Sequence, residues 1–236
     1  MLNDLRETTE PTCDASDCER ALGEPALAFE TDWGRREAYE CACGAVTVTV
    51  GDLPTIDADA NQGWGDAKTA LTALSGMTEY LDVIEQPVAK ENVSDLCALR
   101  QRVDIPVMPD ESVESPADAS KLLARDAGDM YNIKLMKTGG ISEAIRLDAV
   151  ADAGDRPTQV GSMVEGHVGT AAGIHFALAR DNVVWNEMVG PFMTQTGVGN
   201  LNVDLPHIEV DGPGLGVDID RDALAELRTE KKVIDD

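Results

Sequence analysis

Four short apolar runs between residues 56 and 137 each end in a charged residue, and no other feature constrains the fold as strongly. The end residues, Asp59, Glu85, Asp110 and Lys134, recur at intervals of 24 to 26 residues. A (β/α)₈ barrel spends roughly 30 residues on each unit of one strand and one helix, and it builds its active site at the C-terminal ends of the strands. The spacing therefore predicts an α/β fold in which three carboxylates and one amine face a single cavity.

Three oxygen ligands from neighbouring strands suit a hard, octahedral cation. Mg²⁺ is the first choice for such a site and Mn²⁺ is the second. The strand ends offer neither a thiolate nor an imidazole, so zinc is disfavoured. Charged residues also end strands because strands end at the surface. The even spacing of three carboxylates, followed by a lysine in the same register, favours the site over that simpler explanation.

Strand parity predicts the direction in which the Lys134 side chain points. Side chains alternate between the two faces of a strand, so Asn132 and Lys134 are predicted to point into the barrel. Tyr131 and Ile133 are predicted to face the covering helices. A lysine in a crowded, partly dry cavity is expected to have a lowered pKa, which suits a general base.

Strand and helix patterns alternate from residue 56 onward, which predicts a parallel sheet. The predicted strands cover residues 56–59, 81–85, 105–110, 131–134, 159–161 and 183–185. The predicted helices cover residues 65–75, 92–103, 115–125, 141–153, 168–180 and 220–228. Two earlier strands are predicted over 26–29 and 46–50. In the helix over 141–153, periodicity predicts that Ile141, Ala144, Ile145 and Ala149 are buried.

The charge balance restricts the partners. The 236 residues include 44 acidic and 19 basic residues, which gives a net charge of −25. Such a surface repels nucleic acid and anionic membranes. The acidic residues are spread along the chain, which predicts a salt-adapted, halophilic protein. The sequence shows no signal peptide and no apolar run near the ~18 residues of a membrane span, so it predicts a cytoplasmic protein.

Five motifs together resemble the enolase superfamily, and within it the muconate-lactonizing subgroup. They are Asp59-Ala-Asn-Gln-Gly-Trp64, Ile84-Glu-Gln-Pro-Val88, Pro109-Asp-Glu-Ser112, Asn132-Ile-Lys-Leu-Met-Lys-Thr-Gly-Gly140 and Gly161-Ser-Met-Val-Glu165. The resemblance covers roughly residues 52 to 222. Glu187-Met-Val-Gly-Pro191 is similar to the eighth-strand motif of muconate and chloromuconate cycloisomerases, where dipeptide epimerases usually have Asp-x-Asp.

The resemblance implies a Mg²⁺ ion held by Asp59, Glu85 and Asp110, with Mn²⁺ as a substitute. It implies a small carboxylate substrate bound to that metal, an enolate-like intermediate, and Lys134 as acid and base. Glu187 is implied to assist catalysis by orienting the substrate or bonding near Lys134. The residues expected to contact or surround the substrate are Asn61, Asn132, Lys137, Ser162 and Glu165.

The sequence departs from the family at its front end. The family places Lys-x-Lys on the second strand, whereas the first lysine here is Lys68. We therefore expect an incomplete TIM-like (β/α)₇β barrel with an absent or vestigial N-terminal capping domain. Residues 1–44 would form a poorly patterned vestige of that domain and of the first barrel strands, 45–222 the barrel, and 223–236 a tail. An open barrel exposes strand edges, so a homo-oligomer is expected.

Several functions remain open at this point. The first hypothesis is a Mg²⁺-dependent isomerase of the muconate or chloromuconate cycloisomerase type, impaired by loss of the second-strand lysines. A dipeptide epimerase, an acyl-amino-acid racemase and a succinylbenzoate-synthase-like enzyme are the alternative enzymes. An inactive, truncated remnant that still binds metal is the alternative outside catalysis.

Overall fold

The computed structural model describes residues 20–21, 27–31, 34–42, 46–50, 56–193, 197–204, 207–210 and 212–227. The chain divides into two compact units, residues 1–55 and residues 56–236. The two units have different architectures. The four charged strand ends that the sequence predicts lie in the second unit.

The first unit contains a three-stranded antiparallel sheet. Its strands are β1 (Leu27–Thr31), β2 (Gly34–Glu40) and β3 (Val46–Val50), and they pair in that order. The two early strands predicted from the sequence correspond to β1 and β3. Strand β2 was not predicted, because its run Gly-Arg-Arg-Glu-Ala-Tyr-Glu has too few apolar residues to reveal a strand period.

The second unit alternates strands and helices. Its strands are β4 (Asp57–Asp59), β5 (Val83–Glu85), β6 (Val107–Met108), β7 (Tyr131–Ile133), β8 (Thr158–Gly161), β9 (Val183–Glu187), β10 (Asn202–Asp204) and β11 (His207–Glu209). Its helices are α1 (Ala67–Leu74), α2 (Val93–Arg100), α3 (Pro116–Ala124), α4 (Leu135–Thr138), α5 (Ile141–Ala153), α6 (His167–Leu178), α7 (Gly190–Met193) and α8 (Arg221–Leu227). A short 3₁₀ turn covers Thr78–Tyr80.

The strands β4 to β9 run parallel and follow one another in chain order. Strands β4, β5 and β6 pair in parallel, as do β7, β8 and β9. Two backbone hydrogen bonds join these groups of strands. The Asp129 amide donates to the Val107 carbonyl at 2.8 Å, and the Asn132 amide donates to the Pro109 carbonyl at 3.0 Å. The predicted α/β fold with a partial parallel barrel is therefore confirmed. The hairpin of β10 and β11 is antiparallel and follows the barrel strands.

Local sequence signals explain where two of the helices begin. The Ser115 side chain accepts a hydrogen bond from the Asp118 amide at 3.2 Å, and Pro116 occupies the first turn of α3, as predicted. The Asp66 side chain accepts from the Thr69 amide at 2.7 Å and begins α1 in the same way. These caps place each helix directly after a strand-end loop and so hold the strand ends in position.

The core lies between the strands and the helices. Tyr131 and Ile133 are fully buried in this apolar cluster, as strand parity predicts. The predicted buried face of α5 is wrong for three of its four residues, because Ile141, Ile145 and Ala149 are exposed and only Ala144 is buried. The buried face instead contains Asp148, which is fully buried.

Polar partners explain why an aspartate occupies that position in α5. The Asp148 carboxylate accepts from the Thr158 hydroxyl at 2.7 Å, from Arg180 Nε at 2.7 Å and from Asn182 Nδ2 at 3.0 Å. A buried carboxylate with an ion pair and two hydrogen bonds is tolerated where an unpaired one is not. Asp148 follows Ala144 by four residues and so lies on the same side of the helix, but periodicity counts apolar residues only and did not include it.

No helix within the described ranges is long and apolar enough to span a membrane.

Candidate active site

The charged residues that end consecutive strands lie close together at one edge of the sheet. Asp59 and Glu85 are direct partners in the pairing of β4 with β5. The Lys134 ammonium lies 2.7 Å from Asp110 Oδ2 and 3.8 Å from Glu85 Oε1. Glu85, Asp110 and Lys134 are all buried. Strand parity explains this arrangement, because each side chain points to the face opposite the helices.

Two lysines hold the carboxylate of Asp110. Lys134 binds Oδ2, and the Lys137 ammonium contacts Oδ1 and also donates to the Asp110 carbonyl at 2.6 Å. Lys137 donates in addition to the Asn132 carbonyl at 3.0 Å, which ties it to strand β7. Lys137 therefore fixes the position of Asp110, whereas Lys134 lies between Asp110 and Glu85.

Gln86 holds the backbone of Asp110, and no role for Gln86 was predicted from the sequence. Its Oε1 accepts from the amides of Asp110 at 2.8 Å and Ser112 at 3.1 Å. Its Nε2 donates to the Val88 carbonyl at 2.8 Å and to the Ser112 hydroxyl at 2.9 Å. Gln86 is fully buried and has a φ of 32°, which is costly for a residue other than glycine. This network joins the loops after β5 and β6.

Side-chain amides hold the other two carboxylates. Asn61 donates to both oxygens of Asp59, from its backbone amide at 2.7 Å and from Nδ2 at 2.6 Å. Asn132 Nδ2 donates to Glu85 Oε1 at 2.6 Å. Asn61 and Asn132 thus contact carboxylates of the cluster directly, and their predicted contact with a substrate stays a prediction.

Asp57 adds a fourth carboxylate that the sequence analysis did not select. It lies two residues before Asp59 on β4, so its side chain is on the same face of the strand. Its carboxyl group shares a hydrogen bond with Glu85, although the residue as a whole is exposed. The prediction considered only the last charged residue of each run, and two-residue periodicity along β4 would have found Asp57.

Burial and the neighbouring charges change the pKa values within the cluster. Burial, followed by the charges of Asp110 and Asp57, raises the pKa of Glu85 to about 9. Desolvation of the carboxyl group of Asp57 raises its pKa to about 6. Burial would also raise the pKa of Asp110, but the ammonium groups of Lys137 and Lys134 hold it below its ordinary value.

The predicted pKa of Lys134 is wrong in direction. Burial alone lowers the pKa of this amine, but the hydrogen bond that it donates to Asp110 and the charges of Asp110, Glu85 and Asp59 together raise it. Burial does lower the pKa of Lys137. Lys134 is buried, but its carboxylate neighbours were treated in the prediction as partners of a metal and not as partners of the lysine.

The stability of the metal-free protein should fall as the pH rises. The pKa of Glu85 is 4.5 ordinarily and about 9 in the fold, so between these values the folded state keeps a proton that the unfolded state has lost. The contribution of Glu85 is complete below 4.5 and disappears as the pH rises through 9. Urea unfolding in EDTA, repeated across this range, measures the slope. In Glu85→Gln the slope should flatten, and an unchanged slope in that variant would contradict the assignment.

Gly161 leaves space for the side chain of Lys134, the candidate catalytic residue. A Cβ atom at this position would lie 2.5 Å from Asn132 Oδ1 and 2.8 Å from Lys134 Cε. Gly161→Ala should therefore displace Lys134, reduce any activity that depends on it, and lower the free energy of unfolding by about 1–3 kcal/mol. Urea unfolding and the exchange assay described below measure both effects. Gly65→Ala is the control, because a Cβ there meets no atom within 4 Å. Wild-type stability and activity in Gly161→Ala would refute this packing.

The remaining predicted residues lie around the ends of β8 and β9. Glu187 ends β9 opposite Gly161, and burial together with the charges of Asp57, Asp59 and Asp110 raises its pKa, against the effect of Lys134. The Ser162 hydroxyl accepts from the Val164 amide at 3.2 Å, and Glu165 Oε2 accepts from the Met163 amide at 2.6 Å. The hydrogen bonds of Ser162 and Glu165 thus run to the turn after β8, and their substrate contacts stay predictions.

The donor chemistry of the cluster fits a hard dication. Burial, together with the charge of Asp110, raises the pKa values of Asp59 and Glu85, and the buried Oδ1 of Asn132 has no hydrogen-bond partner. Among the side chains that the structure describes, however, no three acidic, histidine or cysteine residues are already grouped as an ion site. Asp110 is instead bound by two lysines, Lys134 and Lys137.

A family model described as "Enolase C-terminal domain-like" matches residues 16–223. The chain belongs to this enolase family. The match confirms the resemblance to the enolase superfamily and its muconate-lactonizing-like subgroup, and it begins well before residue 52, where the motif resemblance starts. The motifs between 59 and 165 alone had carried that resemblance.

The enolase-family relatives include racemases, epimerases and cycloisomerases. The chain is 37% identical over 192 residues to N-succinyl-L-Arg/Lys racemase of Bacillus cereus, covering 80% of this chain and 52% of that protein. It is 38% identical over 174 residues to L-Ala-D/L-Glu epimerase of Bacillus subtilis, covering 71% and 47%. The structure of muconate lactonizing enzyme from Pseudomonas fluorescens complexed with muconolactone superimposes with a TM-score of 0.70 at 31% identity, covering 74% and 48%. The chain thus spans about half the length of these relatives.

Proposed function

We propose that this protein is an isomerase that moves a proton on the carbon next to a substrate carboxylate. In this proposal Lys134 is the acid and base, and Asp59, Glu85 and Asp110 hold Mg²⁺, with Mn²⁺ as a substitute. The single observation that carries the proposal is the position of Lys134, whose ammonium is buried 2.7 Å from Asp110 and 3.8 Å from Glu85. An amine beside carboxylates at the C-terminal ends of parallel strands suits proton transfer in a barrel of this kind.

In this proposal the residues of the cluster have separate roles. Asn61 and Asn132 orient Asp59 and Glu85, and Lys137 and Gln86 orient Asp110. Lys134 then takes the proton from the substrate carbon as a neutral amine and returns it as an ammonium. A bound dication would supply positive charge that offsets the charge developing on the substrate carboxylate and would lower the pKa of Lys134 by repulsion.

The first specific hypothesis is the muconate or chloromuconate cycloisomerase reaction. It is supported by the motif Glu187-Met-Val-Gly-Pro191 and by the single amine, Lys134, that lies between two of the strand-end carboxylates. Lys137, the second amine, is committed to Asp110 and to backbone carbonyls. One base acting on one face of a substrate suits a one-base reaction better than a reaction with a base on each face.

A racemase or epimerase that acts on an N-acyl amino acid or a dipeptide is the second candidate. It is favoured by sequence identity, which is 37% and 38% to the racemase and the epimerase and 31% to the muconate lactonizing enzyme. Both reactions move a proton at the carbon next to a carboxylate, which loses a proton in racemisation or epimerisation and gains one in lactone formation, and this would explain how one lysine could serve either class.

A deuterium-exchange experiment separates these candidates. The protein is incubated in D₂O with Mg²⁺ and with N-succinyl-L-arginine, L-Ala-L-Glu or cis,cis-muconate, and NMR follows each substrate. Exchange with inversion of the amino acid supports the second candidate, and lactone formation supports the first. No exchange and no lactone with any of the three, despite Mg²⁺ binding, would favour the inactive remnant and contradict the proposal.

We further propose a salt-rich cytoplasm and a homo-oligomeric state for this protein. The net charge of −25 supports the first, because concentrated salt screens self-repulsion among 44 acidic residues. The parallel strands β4 and β9 support the second, because each is an outer strand of its sheet as described and outer strands favour association.

A further inference from the structure

Two buried amide side chains lie next to each other on β7 and β8, deeper in the barrel than the charged strand ends. Asn132 and Gln159 are direct partners in the pairing of β7 with β8, and they are 0% and 3% exposed. The residues that follow them, Ile133 and Val160, belong to the apolar cluster on the helix side. Side chains alternate along a strand, so Asn132 and Gln159 both face the barrel interior, on strands about 4.8 Å apart.

Each of these amides has one atom without a hydrogen-bond partner in the part of the chain that the structure describes. The two atoms are Asn132 Oδ1, an acceptor, and Gln159 Nε2, a donor. Asn132 Nδ2 donates to Glu85 Oε1 at 2.6 Å, which leaves Oδ1 at the other end of the amide. This oxygen lies on the β8 side, because it is the atom nearest to the place that a Cβ of Gly161 would occupy, at 2.5 Å. The unpartnered acceptor and the unpartnered donor are therefore on one face of two neighbouring strands.

The opposite polarity of the two atoms identifies the class of ligand that fits between them. Leaving either atom unpaired is unfavourable, since buried polar groups are almost always hydrogen-bonded. A cation would satisfy Asn132 Oδ1 but not the N–H group of Gln159, and an anion would do the reverse. A molecule that donates on one side and accepts on the other satisfies both atoms, and water is the smallest such molecule. Buried water typically makes about three hydrogen bonds to groups of this kind.

We propose that one water molecule binds between Gln159 Nε2 and Asn132 Oδ1, and that Gln159 is thereby a positioning residue for Glu85. Gln159 donates to the water, the water donates to Asn132 Oδ1, and Asn132 Nδ2 donates to Glu85. This chain holds the Asn132 amide in the orientation that Glu85 needs, and each hydrogen bond in it polarises the next. The water site does not depend on the proposed function, whereas its effect on cation binding rests on that function, because it assumes that Glu85 is a ligand.

NMR on the full, metal-free chain in EDTA tests the inference. The side-chain N–H protons of Gln159, assigned through their correlation with the Gln159 backbone, should show cross-relaxation with a long-lived bound water. Methionine has about the size of glutamine but cannot donate, so in Gln159→Met the Asn132 side-chain amide should exchange its protons about fivefold faster. Calorimetric titration of this variant with MgCl₂ should show an affinity about fivefold weaker than that of the wild type. Gln101→Met is the matched control, because Gln101 is exposed and its loss should change neither quantity.

The outcomes separate this inference from the proposed function. Unchanged exchange at Asn132 in Gln159→Met would overturn the inference while the proposed function stands. Faster exchange with an unchanged affinity for Mg²⁺ would overturn the positioning role of Gln159. If the wild-type chain binds no Mg²⁺, the proposed cation site fails, whereas the measurements in EDTA still decide whether the water binds. If Gln159→Met does not fold, the wild-type chain decides, and the absence of a long-lived water at the Gln159 amide would overturn the inference.

Discussion

Lys134→Ala should abolish proton exchange at the carbon next to the substrate carboxylate, with a loss of about 10³-fold or more. A positioned general base contributes roughly 10²–10⁴-fold, and Lys134 lies between two of the carboxylates as the proposed base. The measurement is the rate of deuterium incorporation by NMR in D₂O with Mg²⁺. Lys134→Arg should lose the same activity, because a guanidinium keeps the positive charge but does not give up its proton.

Lys121→Ala is the matched control for this prediction. Lys121 is an exposed lysine of α3 whose ammonium donates to Asp118 at 2.8 Å, and the wild-type exchange rate should survive its removal. Exchange at more than a tenth of the wild-type rate in Lys134→Ala would assign the base to another residue. Activity retained in Lys134→Arg alone would show that the charge of Lys134 matters and its proton does not.

Asp110→Ala should be the most destabilising single substitution in the cluster, at about 3–5 kcal/mol of unfolding free energy. Asp110 pairs with both Lys134 and Lys137, and all three side chains are less than a tenth exposed. Removing the carboxylate leaves two buried ammonium groups near each other without their main counter-charge. Urea unfolding near neutral pH measures the loss, and Mg²⁺ binding should disappear in the same variant.

Asp126→Ala is the control, because Asp126 also bridges two cationic side chains but at the surface. It binds Arg100 and Arg156, and its own side chain is 57% exposed. Exposed ion pairs contribute little, so its removal should cost no more than about 1 kcal/mol. Equal losses in Asp110→Ala and Asp126→Ala would mean that burial does not control the energy of the Asp110 cluster.

The sequence was sufficient to predict where the charged strand ends lie. Apolar runs that end in Asp59, Glu85, Asp110 and Lys134 reveal both the strand and its exit, and parallel strands bring their exits to one edge. Two-residue alternation along β7 also predicted that Lys134, the residue directly after this strand, points into the barrel. These inferences succeeded because they depend on backbone geometry, which a short pattern determines.

Contacts between distant residues could not be predicted in the same way. Gln86 holds Asp110 through hydrogen bonds across 24 residues of chain, and a single sequence contains no signal for that pairing. Asp148 is buried because Arg180 pairs with it and Thr158 donates a hydrogen bond to it, and a pattern of apolar residues contains no signal for these partners. The pKa of Lys134 was predicted with the wrong sign for the same reason, since its direction depends on which carboxylates the amine contacts.

The most direct test is an anomalous diffraction map from crystals of the full chain soaked in MnCl₂. The account predicts one strong manganese peak with oxygens of Asp59, Glu85 and Asp110 about 2.1 Å away. Lys134 should face the ion from the opposite side of the cavity. A map without a peak at these three carboxylates, or with Lys134 turned towards the solvent, would contradict it.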